Sequence, residues 1–387
     1  MAHPTERRFG ESGIRGLIKR LTVAGFAGAM AATVLAGCTP AQKDGAAASK
    51  LCAEKADPKD LKFVLSIGTF ASDYFQEFIT GAKEMAKSLG LESNLTVYAH
   101  DYDGQKALNT LSPILAKDGK RTILVADSPS PAFTKPIIDM AAKNGTRAVT
   151  IWSRPAEIHP WDTGQGCWVA HQTFDGVQGG RENAKALFDS LGGKGSVVAV
   201  TGAPGSVAKE RETGLNEALS EYPGIELLDS QIGGWQQTKA QSVTQSLLGQ
   251  YGDRVDGIWS ANDSMALGVI EALRAKGLAG QIQTTGTDGA VAALNLVKSG
   301  EMISTMLNRG YEQGALAVAL AFAAATGDVN VEELSHANRD FYMKQTLVTK
   351  DNVDQMLNER VDLSALTYQK MSEDFARYNA GQIKDLK

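Results

Sequence analysis

Cations, amides, carboxylates and large aromatic rings recur in this sequence at one kind of place, directly after short apolar runs. Tyr74 and Phe75 follow the run at 63–67, with Ser72 and Asp73 just ahead of them. Trp152, Ser153 and Arg154 end and follow the run at 148–152. A Thr-Gly-Ala-Pro-Gly-Ser stretch at 201–206 follows the run at 196–200, and Arg211 stands a turn or so beyond it. Trp235 comes after Gly233 and Gly234, Asn262 and Asp263 after 257–259, Asp288 after 283–286, and Asn308 with Arg309 after 303–307. Arg donates to two adjacent oxygens at once, Asp accepts, and Asn does both. Aromatic rings stack on C–H faces. A molecule with vicinal hydroxyls and apolar C–H faces, a sugar or a sugar alcohol, answers all of these groups together. Each charged hydrogen bond is worth about 1.5–3 kcal/mol. Four or five of them with two stacking rings support binding near about −8 kcal/mol, a micromolar Kd, after ordering costs. Singly, each residue has a plainer use: an Asp or Asn after a strand caps a helix, and a Trp fills a core. The shared position is what carries the set.

The elements that must position these groups alternate. Strands are expected at 63–67, 95–98, 122–125, 148–152, 168–171, 196–200, 225–228, 257–259, 283–286 and 303–307. Most are apolar with little alternation, as in parallel strands covered by helices on both faces. The helices between them are amphipathic. In 73–89 the apolar positions Phe75, Phe78, Ile79, Ala82, Met85, Ala86 and Leu89 form one stripe, with Gln76, Glu77, Lys83, Glu84 and Lys87 opposite. Asp175 with Gln178 reads as a variant capping box, and Asp263 as the cap of the helix after Asn262. This alternation predicts an α/β fold with parallel sheets, and ten strands predict two lobes. In open parallel sheets ligands bind beyond the carboxyl ends of the strands, which is where the singled-out residues fall.

The first forty residues read as an address. Arg7, Arg8, Arg15, Lys19 and Arg20 precede an apolar stretch of small residues that ends in Leu-Ala-Gly before Cys38. A Cys in that setting resembles the lipobox of bacterial lipoproteins, so 1–37 is expected to be a signal peptide and Cys38 the site of lipidation. Residues 38–60 read as a tether, with structure beginning near Leu61. Cys52 and Cys167 remain, and could form a disulfide or stay as two thiols. The net charge of −5 without charge blocks argues against a nucleic-acid partner. His100, His159, His171 and His336 lack metal-ligand spacing, and no Gly-x-Ser-x-Gly elbow is present. The glycines at 192–195 precede a strand, where a phosphate loop would follow one. No cofactor, metal or catalytic residue is expected, and the chain is not read as an enzyme.

From about 61 to 347 the chain resembles periplasmic sugar-binding proteins of the ribose-binding type. The resemblance rests on Phe-Val-Leu-Ser-Ile at 63–67, Tyr74-Phe75 with Gly81-Ala82, and Asp-Gly-Val-Gln-Gly-Gly at 175–180. It continues in Thr201-Gly202, Lys-Glu-Arg-Glu-Thr-Gly at 209–214, Ala-Asn-Asp-Ser-Met-Ala-Leu-Gly at 261–268 and Gly-Thr-Asp-Gly at 286–289. It implies two Rossmann-like lobes joined by a three-crossing hinge, with ligand trapped between them. The lobes would be 61–174 plus 309–340, and 175–308 plus 341–387 with the tail. Crossings would fall near 173–175, 308–310 and 339–342. The binding positions implied are Tyr74, Phe75, Arg154, Arg211, Trp235, Asn262, Asp288 and Asn308, with Tyr74, Phe75, Arg154 and Asn308 on or near the first lobe. Three departures, Ser72, Ser153 and Asn308, change which hydroxyls can be satisfied and make an acyclic polyol a candidate beside ribose. The resemblance implies an ABC permease as partner and a monomeric, lipid-anchored protein outside the cytoplasm. Presentation of ligand to a chemoreceptor or kinase, or a non-carbohydrate ligand, are the alternatives.

Overall fold

The structure, a computed structural model, describes residues 52–359 and 362–383. The expected signal peptide and Cys38 lie outside the described residues. Strand and helix alternate from β1 (Lys62–Ile67) through α1 (Asp73–Ser88), β2 (Leu95–Ala99), α2 (Gly104–Asp118), β3 (Thr122–Asp127), α3 (Pro131–Asn144), β4 (Arg147–Ile151) and β5 (Trp168–Thr173). The second series runs α4 (Gly176–Ser190), β6 (Gly195–Thr201), α5 (Ser206–Glu221), β7 (Ile225–Ile232), α6 (Gln237–Tyr251), β8 (Gly257–Ser260), α7 (Asp263–Ala275), β9 (Gln283–Asp288), α8 (Val291–Ser299) and β10 (Ser304–Asn308). Then come α9 (Gly310–Thr326), α10 (His336–Arg339), β11 (Asp340–Met343), β12 (Gln345–Thr349), α11 (Val353–Asn358), α12 (Tyr368–Ser372) and β13 (Asn379–Gln382).

The described strands make two sheets. One has the order β13-β11-β5-β4-β3-β1-β2, the other β12-β10-β9-β8-β6-β7. Pairing is parallel except for β12 on β10 and β13 on β11. All ten expected strands are present. The strands β3, β4, β5 and β8 are buried along their whole length, as in a parallel sheet covered on both faces. Each sheet carries its own core. Phe63, Leu65, Phe78 and Met85 meet α9 in the first, and Val198, Trp259, Met265 and Val269 pack in the second.

Three expectations about boundaries are corrected. The segment 52–60 is fastened to the first sheet instead of hanging as a tether: Cys52 is bonded to Cys167 with the Cα atoms 5.3 Å apart, the Arg147 guanidinium donates to the carbonyls of Cys52 and Glu54, and Ala56 N–H donates to Ala325 O at 2.8 Å. The third crossing falls at Lys344, between β11 in the first sheet and β12 in the second, so 340–343 stays with the first half. The tail was assigned to the second half, yet only α11 packs there, against α8. From Leu363 onward it returns: Leu366 and Met371 join the core beside α9, and β13 adds an edge to β11. Its apolar residues bury against the first sheet, a partner that tail periodicity alone does not identify.

Candidate functional site

The carboxyl ends of both sheets face one cleft, which holds about 620 Å³ free of protein atoms, counting its mouth to solvent. Eight of the thirteen described strands contribute to the lining. From the first half come Ser72, Tyr74 and Phe75 after β1, Tyr102 after β2, Asp127 and Ser128 at β3, and Trp152 and Ser153 after β4. From the second come 203–208 after β6, with Arg211 in α5, Trp235 after β7, Asn262 after β8 and Asp288 ending β9.

Arg211 is the centre of this arrangement. It is carried on α5, which lies close against α4 because neither helix has a side chain at the contact. A Cβ on Gly180 would stand 2.2 Å from Arg211 O, and one on Gly214 2.1 Å from Val177 O. The guanidinium is buried, with Nη1 donating to Ala261 O at 2.7 Å and Nη2 3.7 Å from Asp288 Oδ1. Its two flanks are indoles from opposite halves: Cζ is 5.5 Å from the ring centroids of both Trp152 and Trp235, within cation–π range. Both tryptophans hold a left-handed backbone, φ 63° at Trp152 and 66° at Trp235, a conformation that bulky side chains adopt only where surroundings enforce it. Trp235 lies on Gly202, where a Cβ would stand 1.9 Å from its ring.

Asp288 is buried beside Arg211 and accepts from Asn262 Nδ2 at 3.5 Å. Burial raises its carboxyl, and that of Asp263, above the ordinary range, while Arg211 opposes the rise. Asn262, not Asp263, caps α7, its Oδ1 accepting from Met265 N–H at 3.0 Å. Asp263 accepts from Thr305 Oγ1 at 2.7 Å and Ala290 N–H at 2.8 Å, which ties α7 to β10 and α8. Asp175 caps α4 as expected, but the Gln178 amide runs on to Glu182.

Across the cleft, Asp127 is 4% exposed, and its nearest cationic candidate is His100 Nε2 at 3.9 Å. His100 donates from Nε2 to Asp127 O at 3.0 Å and accepts from Tyr102 N–H on Nδ1, which assigns its tautomer. Burial lowers its pKa to about 4, so it is neutral near pH 7. The Asp127 carboxyl is pushed well up by burial, with nothing to lower it. Ser128 Oγ beside it is buried without a hydrogen-bond partner. The Tyr74 hydroxyl is used by Gln313 Oε1, which leaves its ring for the cavity.

Six of the eight sequence-predicted residues therefore line one cavity: Tyr74, Phe75, Arg211, Trp235, Asn262 and Asp288. Arg154 does not. It lies behind Trp152, where Nε and Nη2 reach Asp340 at 3.1 and 2.7 Å and Nη1 donates to the carbonyls of Pro155 and Ala156. The carboxylate that holds it opens β11, a strand the apolar pattern did not reveal. Asn308 ends β10 in the second sheet, at the crossing and two residues before Gly310, which lies against Tyr74 and Glu77 of the first half. It is fully buried next to Asp288 and closes no hydrogen bond of good geometry. The residues missed were Tyr102, Asp127 and Ser128. Asp127 obeys the same strand-end rule, at β3, so the signal was present. Among the described residues no group of three or more His, Cys, Asp or Glu could hold a metal ion. No described helix is long and apolar enough to cross a membrane.

Two α/β halves with a cavity where their strand ends converge define a bilobal solute-binding protein. The chain belongs to the periplasmic binding protein domain family, which it matches over residues 63–328. It is 32% identical over 181 residues to a xylitol-binding protein of Mycolicibacterium smegmatis, covering 46% of this chain and half of that one. It is 28% identical over 261 residues to a D-allose-binding periplasmic protein of Escherichia coli, covering 67% of this chain and 83% of that one. The crystal structure of a twin-arginine translocation pathway signal protein from Burkholderia phytofirmans superposes with a TM-score of 0.77 at 33% identity, covering 84% of this chain and 99% of that one. The family is made up of solute-binding proteins, not enzymes, that act outside the cytoplasm, and this chain is a solute-binding protein of that family.

Proposed function

We propose that the cavity around Arg211 captures a single sugar or sugar alcohol and that the two halves close on it. Arg211, Asn262 and Asp288 hold its hydroxyls from one side and Asp127 with Ser128 from the other, while Phe75, Trp152 and Trp235 cover its C–H faces. Asn308 supports Asp288 from below. Arg154 acts indirectly, fixing the loop that carries Trp152 to β11. The observation that carries this reading is polar groups with unused capacity at one cavity: the Ser128 hydroxyl is buried without a partner, and beside it the Asp127 carboxyl, 4% exposed, has its nearest cationic candidate 3.9 Å away. Each unsatisfied buried polar group costs about 1–3 kcal/mol, which a fold retains where a ligand supplies the missing bonds. Carboxylates facing a guanidinium call for a ligand that both donates and accepts, which hydroxyls do and simple anions do not. Closure requires contacts better made in the closed state, and the Trp152–Arg211 contact already spans the halves. The xylitol and D-allose named for the two relatives fit the same chemistry.

In this reading Cys38 carries lipid that holds a monomeric protein at the membrane beside its permease. A thermal-shift screen of residues 39–387 against pentoses, hexoses, tetritols, pentitols, hexitols and amino acids tests the ligand. At a hundred times its Kd a ligand adds about 2.7 kcal/mol of stability. A shift confined to one carbohydrate group names the substrate, whereas a shift with amino acids alone overturns the carbohydrate reading. Metabolic labelling with palmitate, lost in Cys38→Ala, tests the anchor.

A further inference from the structure

Beyond the ligand cavity lies a second inter-half chamber of about 1090 Å³. Pro131, Arg154 and Thr173 border it from the first half, and Ser206, Lys209 and Glu210 from the second. Arg154, Lys209 and Glu210 bring charge to its border, and the Ser206 hydroxyl is buried there without a partner. Only two residues line both spaces, Trp152 and Gly205. Gly205 has no side chain to interpose, so the partition is the Trp152 indole.

We propose that Trp152 is the residue that fixes ligand size: it walls the cavity at one sugar unit and excludes disaccharides and glycosides whose second unit would extend into the second chamber. This rests on the reading of the cavity as a carbohydrate site. The indole has three close neighbours that hold it in place. Its ring centroid is 5.1 Å from that of Tyr74, 5.4 Å from that of Phe174 and 5.5 Å from Arg211 Cζ. Its backbone N–H reaches Gln172 O at 3.4 Å, and its left-handed φ of 63° leaves little freedom to swing aside without moving the loop. On the ligand side the indole bounds the cavity of about 620 Å³, its open mouth included.

The test compares wild type with Trp152→Ala by calorimetry. The probes are the monosaccharide or alditol that wild type binds best, and the disaccharides maltose, cellobiose, sucrose and trehalose. Wild type is expected to bind the single unit and reject all four. The variant should lose about tenfold for the single unit, the equivalent of one aromatic contact, and gain about tenfold or more for at least one disaccharide. Wild type binding a disaccharide as well as the single unit, or a folded variant that rejects all four, overturns the proposal. Should Trp152→Ala fail to fold, Trp152→Leu carries the same two outcomes. Wild type that binds no carbohydrate sinks the functional reading alone. The wall is then read from a crystal structure of the ligand-free variant, where one continuous chamber supports it and two separate chambers overturn it.

Discussion

Replacing Asp127 by Asn should make the ligand-free protein more stable and its ligand binding weaker, a combination that a purely structural Asp would not give. The carboxylate is 4% exposed, and His100 at 3.9 Å is neutral because burial holds it near pKa 4. Burial alone raises the Asp127 pKa, with no bond to lower it. A carboxyl whose folded-state pKa is raised binds its proton more tightly in the folded state. Its stability is therefore complete below the ordinary carboxyl range and is lost as pH rises from there toward the folded value. Asn keeps the shape and removes the charge. At about pH 8 the gain is that of relieving one buried charge, about 1–3 kcal/mol, or roughly 2–12 °C in Tm at 2–4 °C per kcal/mol. At about pH 4 the gain should vanish, since both proteins are then uncharged at that position. Binding moves the other way. A charged hydrogen bond is worth about 1.5–3 kcal/mol against about 0.5–1.5 for a neutral one. Two hydroxyls on Asp127 then lose about 2–3 kcal/mol, or about 30- to 150-fold in Kd. Melting curves at the two pH values and calorimetry at the higher one measure both. A variant that melts lower than wild type at pH 8 and binds ligand equally well would refute the reasoning.

Other consequences are as direct. Arg211→Ala removes the cation beside the buried Asp288 and should weaken binding by more than about a hundredfold while destabilising the fold by about 3–5 kcal/mol; wild-type affinity in that variant would sink the site assignment. Arg154→Ala breaks the buried pair with Asp340, so it should lower Tm while changing Kd only a few-fold, and a loss as large as that of Arg211→Ala would return Arg154 to the ligand. Because burial raises Asp288 and ligand hydroxyls favour its ionised form, binding should release protons and tighten as pH rises from about 5 to about 8; calorimetry in buffers of different ionisation enthalpy would show the opposite sign if Asp288 binds as an acid. Changing Cys52 and Cys167 to Ser together opens a bond of sequence separation 115 and should cost about 4–5 kcal/mol of stability. Its effect on Kd should stay within about twofold, because the bond lies at the amino ends of β4 and β5, away from the cavity.

The parts of the molecule that were legible in the sequence are those with a local physical signature. Short apolar or β-branched runs that alternate with amphipathic helices mark parallel strands, so β1 to β10 could all be read, and the strand-end rule then placed Arg211, Trp235 and Asp288 in one cleft. What stayed hidden depended on distant partners. Asp340-Phe-Tyr-Met and Asn-Ala-Gly-Gln at 379–382 carry no strand signature of their own; they pair because β5 and then β11 present an open edge. Without β11 the Asp340 carboxylate had no place, and Arg154 looked free to face the ligand. At the start of α7, Asn262 and Asp263 are equally good caps by type. The choice is made by Thr305 and Ala290, which claim Asp263 from another part of the chain. Asp127 is hidden for a simpler reason: the expected strand ends at 125, and β3 continues two residues beyond it to the carboxylate.

The central claim is that the cavity shared by the two halves holds a carbohydrate. A crystal structure with the sugar or alditol that gives the largest thermal shift tests it most directly. The account predicts one sugar unit between Trp152 and Trp235, its hydroxyls within hydrogen-bond distance of Asp127, Arg211 and Asp288. Density for the ligand in the chamber beyond Trp152, or anywhere outside the cleft, would contradict it.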